Sequence, residues 1–111
     1  MSESLPDITR IREAARVYKI RFQKHALQRA GEKDVSFEDI RSVIINGEVI
    51  ETYPSAFPLP KCLIVGTVKG EIPLYVSVAY DEKIERVRVI TVHWQDPEKW
   101  IDYKTRKPKS N

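Results

Sequence analysis

His25 and Arg29 stand four residues apart in KHALQRA. His93 lies near the end of RVRVITVHW, and Tyr75 lies within IPLYVSVAY. Histidine changes charge near neutrality and can move a proton. Arginine offers a planar fork of N–H donors that fits a phosphate. On a helix, His25 and Arg29 would share a face one turn apart. Two readings fit that spacing. In one, the pair is a proton donor beside a phosphate clamp. In the other it is structural: His25 at a helix start bonds exposed backbone groups, and Arg29 pairs with a nearby acid or reaches carbonyls of the loop carrying Tyr53 and Pro54.

Other chemistries lack their residues. The histidines, at 25 and 93, and the single cysteine, at 62, show no metal-ligand spacing, so no metal site is expected. No GxGxxG, phosphate-loop or nucleophile-elbow motif occurs, and no cofactor is expected. What remains is acid–base or electrostatic chemistry from His, Tyr, Arg and Lys, or binding without chemistry. Cys62, at a strand start, reads as a small buried residue.

The elements that must position these residues follow from periodicity. Leu5, Ile8, Ile11 and Ala15 recur at helical spacing and predict a helix over 5–17, with Asp7 where a cap belongs. YKIRF alternates as a short strand. Residues 24–32 read as a helix, with Gly31 near its stop. Ser36 followed by Asp39 marks a helix start, and Asn46-Gly47 closes that helix. From Glu48 the period becomes two. Strands are expected at 48–53, 62–69, 72–80 and 87–95, separated by a proline-rich loop and short turns. Asp96-Pro97 then opens a last short helix. The fold class is α+β, with N-terminal helices on one face of a four- to five-stranded antiparallel sheet. Ile40, Ile44, Leu74, Val76, Ile90 and Val92 are the expected core.

Alternation also sorts the two faces of the sheet. Ile72, Leu74, Val76, Val78 and Tyr80 share one side with Ile90, Val92 and Trp94. Tyr75, Ser77, Ala79, Val89, Thr91 and His93 share the other. The second, half-polar side is either a ligand face or a solvent-facing side partly covered by the last helix through Trp100 and Tyr103.

Length and charge bound the rest. At 111 residues one domain is expected: an extension over 1–18, the α+β domain over 19–104 and a basic tail over 105–111. One cysteine permits no internal disulfide and fits a reducing cytoplasm. No secretory signal and no membrane partner are expected, because no apolar run is long enough. The net charge of +3 is unevenly placed. Arg10, Arg12, Arg16, Lys19, Arg21 and Lys24 crowd the start, and Lys99, Lys104, Arg106, Lys107 and Lys109 the end. Such clusters attract phosphate backbones.

KHALQRA, SFEDIRSVIINGEVIETYP, FPLPKCLIVG and VRVITVHWQDPEKW together resemble the prokaryotic domain-of-unknown-function family numbered 4258, over about residues 20–104. The element order of that family is similar to the RelE/ParE-like toxin fold, many of whose members are ribonucleases paired with an antitoxin. That resemblance implies metal-free RNA cleavage. His93 or His25 would activate a ribose 2′-hydroxyl, with Tyr75 in the same catalytic set. Arg29, Arg88 or Lys104 would stabilise the charged phosphorus centre, and Tyr53, Tyr75 or Tyr103 would stack a base. RNA or the ribosome, and an antitoxin-like protein, would be the partners. His93 stands where the family usually carries tyrosine. The alternatives are a non-enzymatic nucleic-acid- or protein-binding module of the same fold, and an inert relative.

Overall fold

A computed structural model describes residues 6–95. The expected last helix, with Trp100, Tyr103 and Lys104, lies outside the described residues. Among those described, three helices precede most of a five-stranded sheet. The order is α1 (Ile8–Arg16), β1 (Ile20–Phe22), α2 (Lys24–Glu32), α3 (Phe37–Asn46), β2 (Glu48–Tyr53), β3 (Lys61–Val68), β4 (Ile72–Asp81) and β5 (Arg86–Trp94).

The helix starts are written locally. Asp7 Oδ1 accepts from the Arg10 N–H at 3.1 Å, and Ser36 Oγ accepts from the Asp39 N–H at 3.0 Å. The stops are less legible. Both α1 and α2 end in Schellman turns, in which a left-handed residue redirects the chain. After α1, Tyr18 has φ 62°. Its N–H donates to the Ala15 carbonyl, and the Lys19 N–H to the Ala14 carbonyl at 2.8 Å. After α2, Asp34 has φ 56° and the Val35 N–H donates to the Ala30 carbonyl. Gly31, expected at the stop, lies inside α2. The left-handed role falls to Tyr18 and Asp34, residue types that do not announce it.

The strands lie in the order β1-β5-β4-β3-β2. The hairpins β2–β3, β3–β4 and β4–β5 are antiparallel, as their short connections require. The sheet is nevertheless mixed, which corrects the purely antiparallel expectation. β1 lies parallel to β5, pairing Ile20 with Val87 and Phe22 with Val89. Everything from α2 to β4 lies between them in the chain, so a parallel crossover is available.

All three helices pack on one face. Ile11, Ala15, Ala26, Ala30, Ile40 and Ile44 meet Ile64, Leu74, Val76, Val78, Val87, Val89 and Val92 there, and all are buried. Ile90 is the expected core residue that fails. Ser77 pairs with Thr91 but Val78 pairs with Val89, so Ile90 is the extra residue of a β-bulge. The bulge reverses the alternation along β5: Val87 and Val89 face the helices before it, Val92 and Trp94 after it. Ile90 is half-buried and Val89 takes its place in the core.

The second face is buried at its centre rather than wet. Leu63, Val65 and Tyr75 form a second cluster with Ile50 beside them. Ser77, Ala79 and Asp81 are buried along the same side of β4.

Candidate nucleic-acid interface

Tyr75 and His93 face each other across β4 and β5, with ring centroids 5.0 Å apart and planes within 2°. Alternation had placed them on one face, and there they are. Tyr75 is fully buried, so its ring supports His93 rather than meeting a substrate, while His93 stays half-buried.

The other expected catalytic residues lie elsewhere. His25 and Arg29 are exposed on α2, which packs through Ala26 and Ala30 on the helical face. The sheet therefore separates them from Tyr75 and His93. The structural reading of the pair holds in one part. Arg29 Nη1 lies 4.0 Å from Glu32 Oε2, an acid one turn away. The part linking it to the Tyr53-Pro54 loop fails. α2 packs on β5, and β2 is three strands away, on the order of 14 Å. The N-cap of α2 is Gln23, with no side-chain cap hydrogen bond.

Among the residues expected to bind substrate, Arg88 is committed to Asp81. Its Nε donates to Asp81 Oδ2 at 2.7 Å and its Nη2 lies 2.6 Å from the same oxygen. The Lys83 N–H donates to Asp81 Oδ1. Burial works against the charge on Asp81. The hydrogen bonds from Arg88 and the backbone, with the Arg88 charge, outweigh it and hold the carboxyl below its ordinary range. The pair lines a cleft of about 580 Å³ with Pro58, Pro60 and Tyr80 on its walls. Tyr53 ends β2 at the far edge of the sheet, its hydroxyl on Glu51 and Lys61 5.4 Å from its ring centre. Arg88 on β5 and Tyr53 on β2 thus stand three strands apart. Tyr103 and Lys104 lie outside the described residues.

Cys62 is buried, as expected. Burial pushes its thiol up to about 11, against the lowering pull of the Arg12 charge. Among the described residues no group of three His, Cys, Asp or Glu side chains is arranged to hold a metal ion. No helix of the described residues is long and apolar enough to cross a membrane.

The structure assembles a different feature from the N-terminal cations. Arg16 ends α1, Lys19 immediately precedes β1, Arg21 lies within it, and Lys24 opens α2. All four are exposed, and none has an acidic side chain within ion-pair distance among the described residues. β1 is the outermost strand, so these cations line one edge of the sheet, where Arg21 lies beside Arg88 in register. The opposite edge, β2, carries Glu48 and Glu51 instead. The sheet is thus basic along one edge and acidic along the other. The cluster was visible in the sequence. Its collection on one edge was not, because that depends on where β1 pairs.

Two further arginines do structural work that the sequence did not disclose. Arg12 donates to the carbonyls of Ile45 at 2.7 Å and Gly47 at 2.9 Å, closing the end of α3. Arg41 donates to the carbonyls of Ala15 and Arg16, closing the end of α1. A cation near orphan carbonyls satisfies both their hydrogen bonds and the helix dipole.

The chain belongs to the family described as Domain of unknown function (DUF4258), whose model matches residues 22–94. The match runs from the end of β1 through β5. No curated protein matches the chain.

Proposed function

We propose that this domain binds nucleic acid without cleaving it, through the basic edge formed by the end of α1, β1 and the start of α2. The observation that carries the proposal is the row of exposed cations, Arg16, Lys19, Arg21 and Lys24, on an edge whose opposite edge is acidic. A one-sided cationic strip attracts a polyanion and orients it. Cations without acidic partners do this best, since no ion pair must be broken first. Catalysis is less well supported. The two histidines lie on opposite sides of the sheet, and Arg88 is neutralised by Asp81.

The test is binding of labelled RNA across a salt series, with the same RNA run on a gel for breakage. Wild type should bind with an affinity that falls steeply as salt rises, and leave the RNA intact. Replacing Lys19, Arg21 and Lys24 together by Glu should abolish binding and, for three lost phosphate contacts, flatten the salt slope by about 2. Salt-independent binding, or none, would overturn the proposal.

RNA cleavage, which the toxin-like resemblance implies, is a second reading. One observation favours it: His93, a residue able to move a proton, is held against the Tyr75 ring and is only half-buried. Breakage of the RNA by wild type, lost in His93→Ala, would establish that reading over the first.

A further inference from the structure

Tyr18 occupies the position in a Schellman turn where glycine is the common residue. Its φ of 62° is strained for any residue with a Cβ. The hydrophobic core does not ask for a phenol there: the residue is 62% exposed and belongs to neither hydrophobic cluster. An aromatic ring held outward in a conformation that disfavours it points to a use outside the fold.

Its surroundings say what that use is. The Arg41 guanidinium lies over the ring, 4.0 Å from its centre. Arg41 is itself anchored, through Nε to the Ala15 carbonyl and Nη2 to the Arg16 carbonyl. One face of the ring is therefore backed by a fixed cation, and the residue remains largely open to solvent. Arg16 and Lys19 flank it in the chain, exposed and without an acidic partner among the described residues. Glu38 is paired with Arg41 at 3.4 Å, while Glu13 and Glu85 line a shallow cleft together with Val17 and Lys19. One turn before Arg41 on α3, Phe37 is 55% exposed and stacks on Phe22 at 4.7 Å.

We propose that Tyr18 is a stacking platform for an unpaired base of single-stranded nucleic acid, with Arg16 and Lys19 on the neighbouring phosphates. This rests on the nucleic-acid reading of the basic edge and names the form bound. An aromatic ring accepts the face of any base, while a duplex keeps its bases stacked inside and offers none. Charge selects the polyanion over an apolar protein surface, because cations on both sides of Tyr18 would lose hydration against the latter.

The test uses the full chain with labelled oligouridylate, oligothymidylate and a duplex, measured by anisotropy across a salt series. Tyr18→Gly is the decisive variant, because glycine relieves the backbone strain while removing the ring. It should melt no lower than wild type, yet bind the single strand roughly tenfold more weakly. The salt slope should be unchanged, because no phosphate contact is lost. Tyr18→Phe should restore binding, since a phenyl ring stacks as well. Duplex affinity should be the same in all three proteins. A loss on the RNA or the DNA strand supports the platform and tells which sugar it accepts. Wild-type affinity in Tyr18→Gly, with salt-dependent binding still present, overturns the platform and leaves the basic edge standing. An equal loss on the duplex also overturns it. A wild-type protein that binds no oligonucleotide removes both proposals.

Discussion

Arg41, on α3, donates its Nε–H to the carbonyl of Ala15, on α1, at 2.8 Å. The contact joins two helices far apart in the chain and closes the last turn of α1, where the Ala15 carbonyl also accepts from the Tyr18 N–H. Nη2 donates to the Arg16 carbonyl at 2.9 Å. Arg41→Ala should therefore lower stability by about 1.5–3 kcal/mol in urea unfolding, the range for hydrogen bonds to a charged donor. Arg41→Lys should recover little, because an ammonium cannot span both carbonyls and cover a ring. A loss below about 0.5 kcal/mol for the alanine variant would show that the two bonds are not formed in solution.

Asp81 sets an acid limit on stability. Its carboxyl is held below the ordinary value of 3.8 by hydrogen bonds from Arg88 and the backbone and by the Arg88 charge, which outweigh its burial. A group whose folded pKa is depressed binds its proton more readily when unfolded, so it stabilises the fold above the unfolded value. That contribution fades as pH falls from about 4 through the lower folded value. Asp81→Asn should be less stable at neutral pH and should lose less on acidification than wild type. Parallel acid limbs for the two proteins in pH-dependent melting would sink this account.

The β-bulge makes adjacent residues unequal. Val89 is fully buried against the helices, while Ile90 is half-buried and belongs to neither cluster. Val89→Ala should cost about 1.5–3 kcal/mol, near the burial value of the side chain. Ile90→Ala, though it deletes more carbon, should cost less. Chemical denaturation of the pair decides it, and the reverse ranking would mean that β5 keeps an unbroken alternation.

Gly47 and Gly31 should respond with opposite signs. A Cβ on Gly47 would stand 2.5 Å from the Val43 carbonyl oxygen and 2.7 Å from the Val65 carbonyl oxygen, both backbone atoms. Its φ of −74° is ordinary, so the requirement is close approach of α3 to β3, not left-handed freedom. Gly47→Ala should cost roughly 1–3 kcal/mol or fail to fold. Gly31 lies inside α2 with nothing within 4 Å of the added carbon, so Gly31→Ala should stabilise by about 0.5–1 kcal/mol. Thermal melts of the two variants that move in the same direction would contradict the geometry at one of them.

The sequence by itself determined the element types, most of their bounds, and the shared face of Tyr75 and His93. Those depend on periodicity and on caps such as Ser36, which act within a few residues. It also showed the cluster of cations from Arg10 to Lys24. Three things were decided only by tertiary structure. One is the parallel docking of β1 on β5, which turns that cluster into an edge and parts His25 from His93. Another is the bulge at Ile90, where the count of residues opposite β4, not their types, sets which side is buried. The last is the left-handed Tyr18, with no glycine to mark it and with Arg41 brought over it from α3. Each joins residues distant in the chain, and a local pattern carries no information about which distant partner will pair.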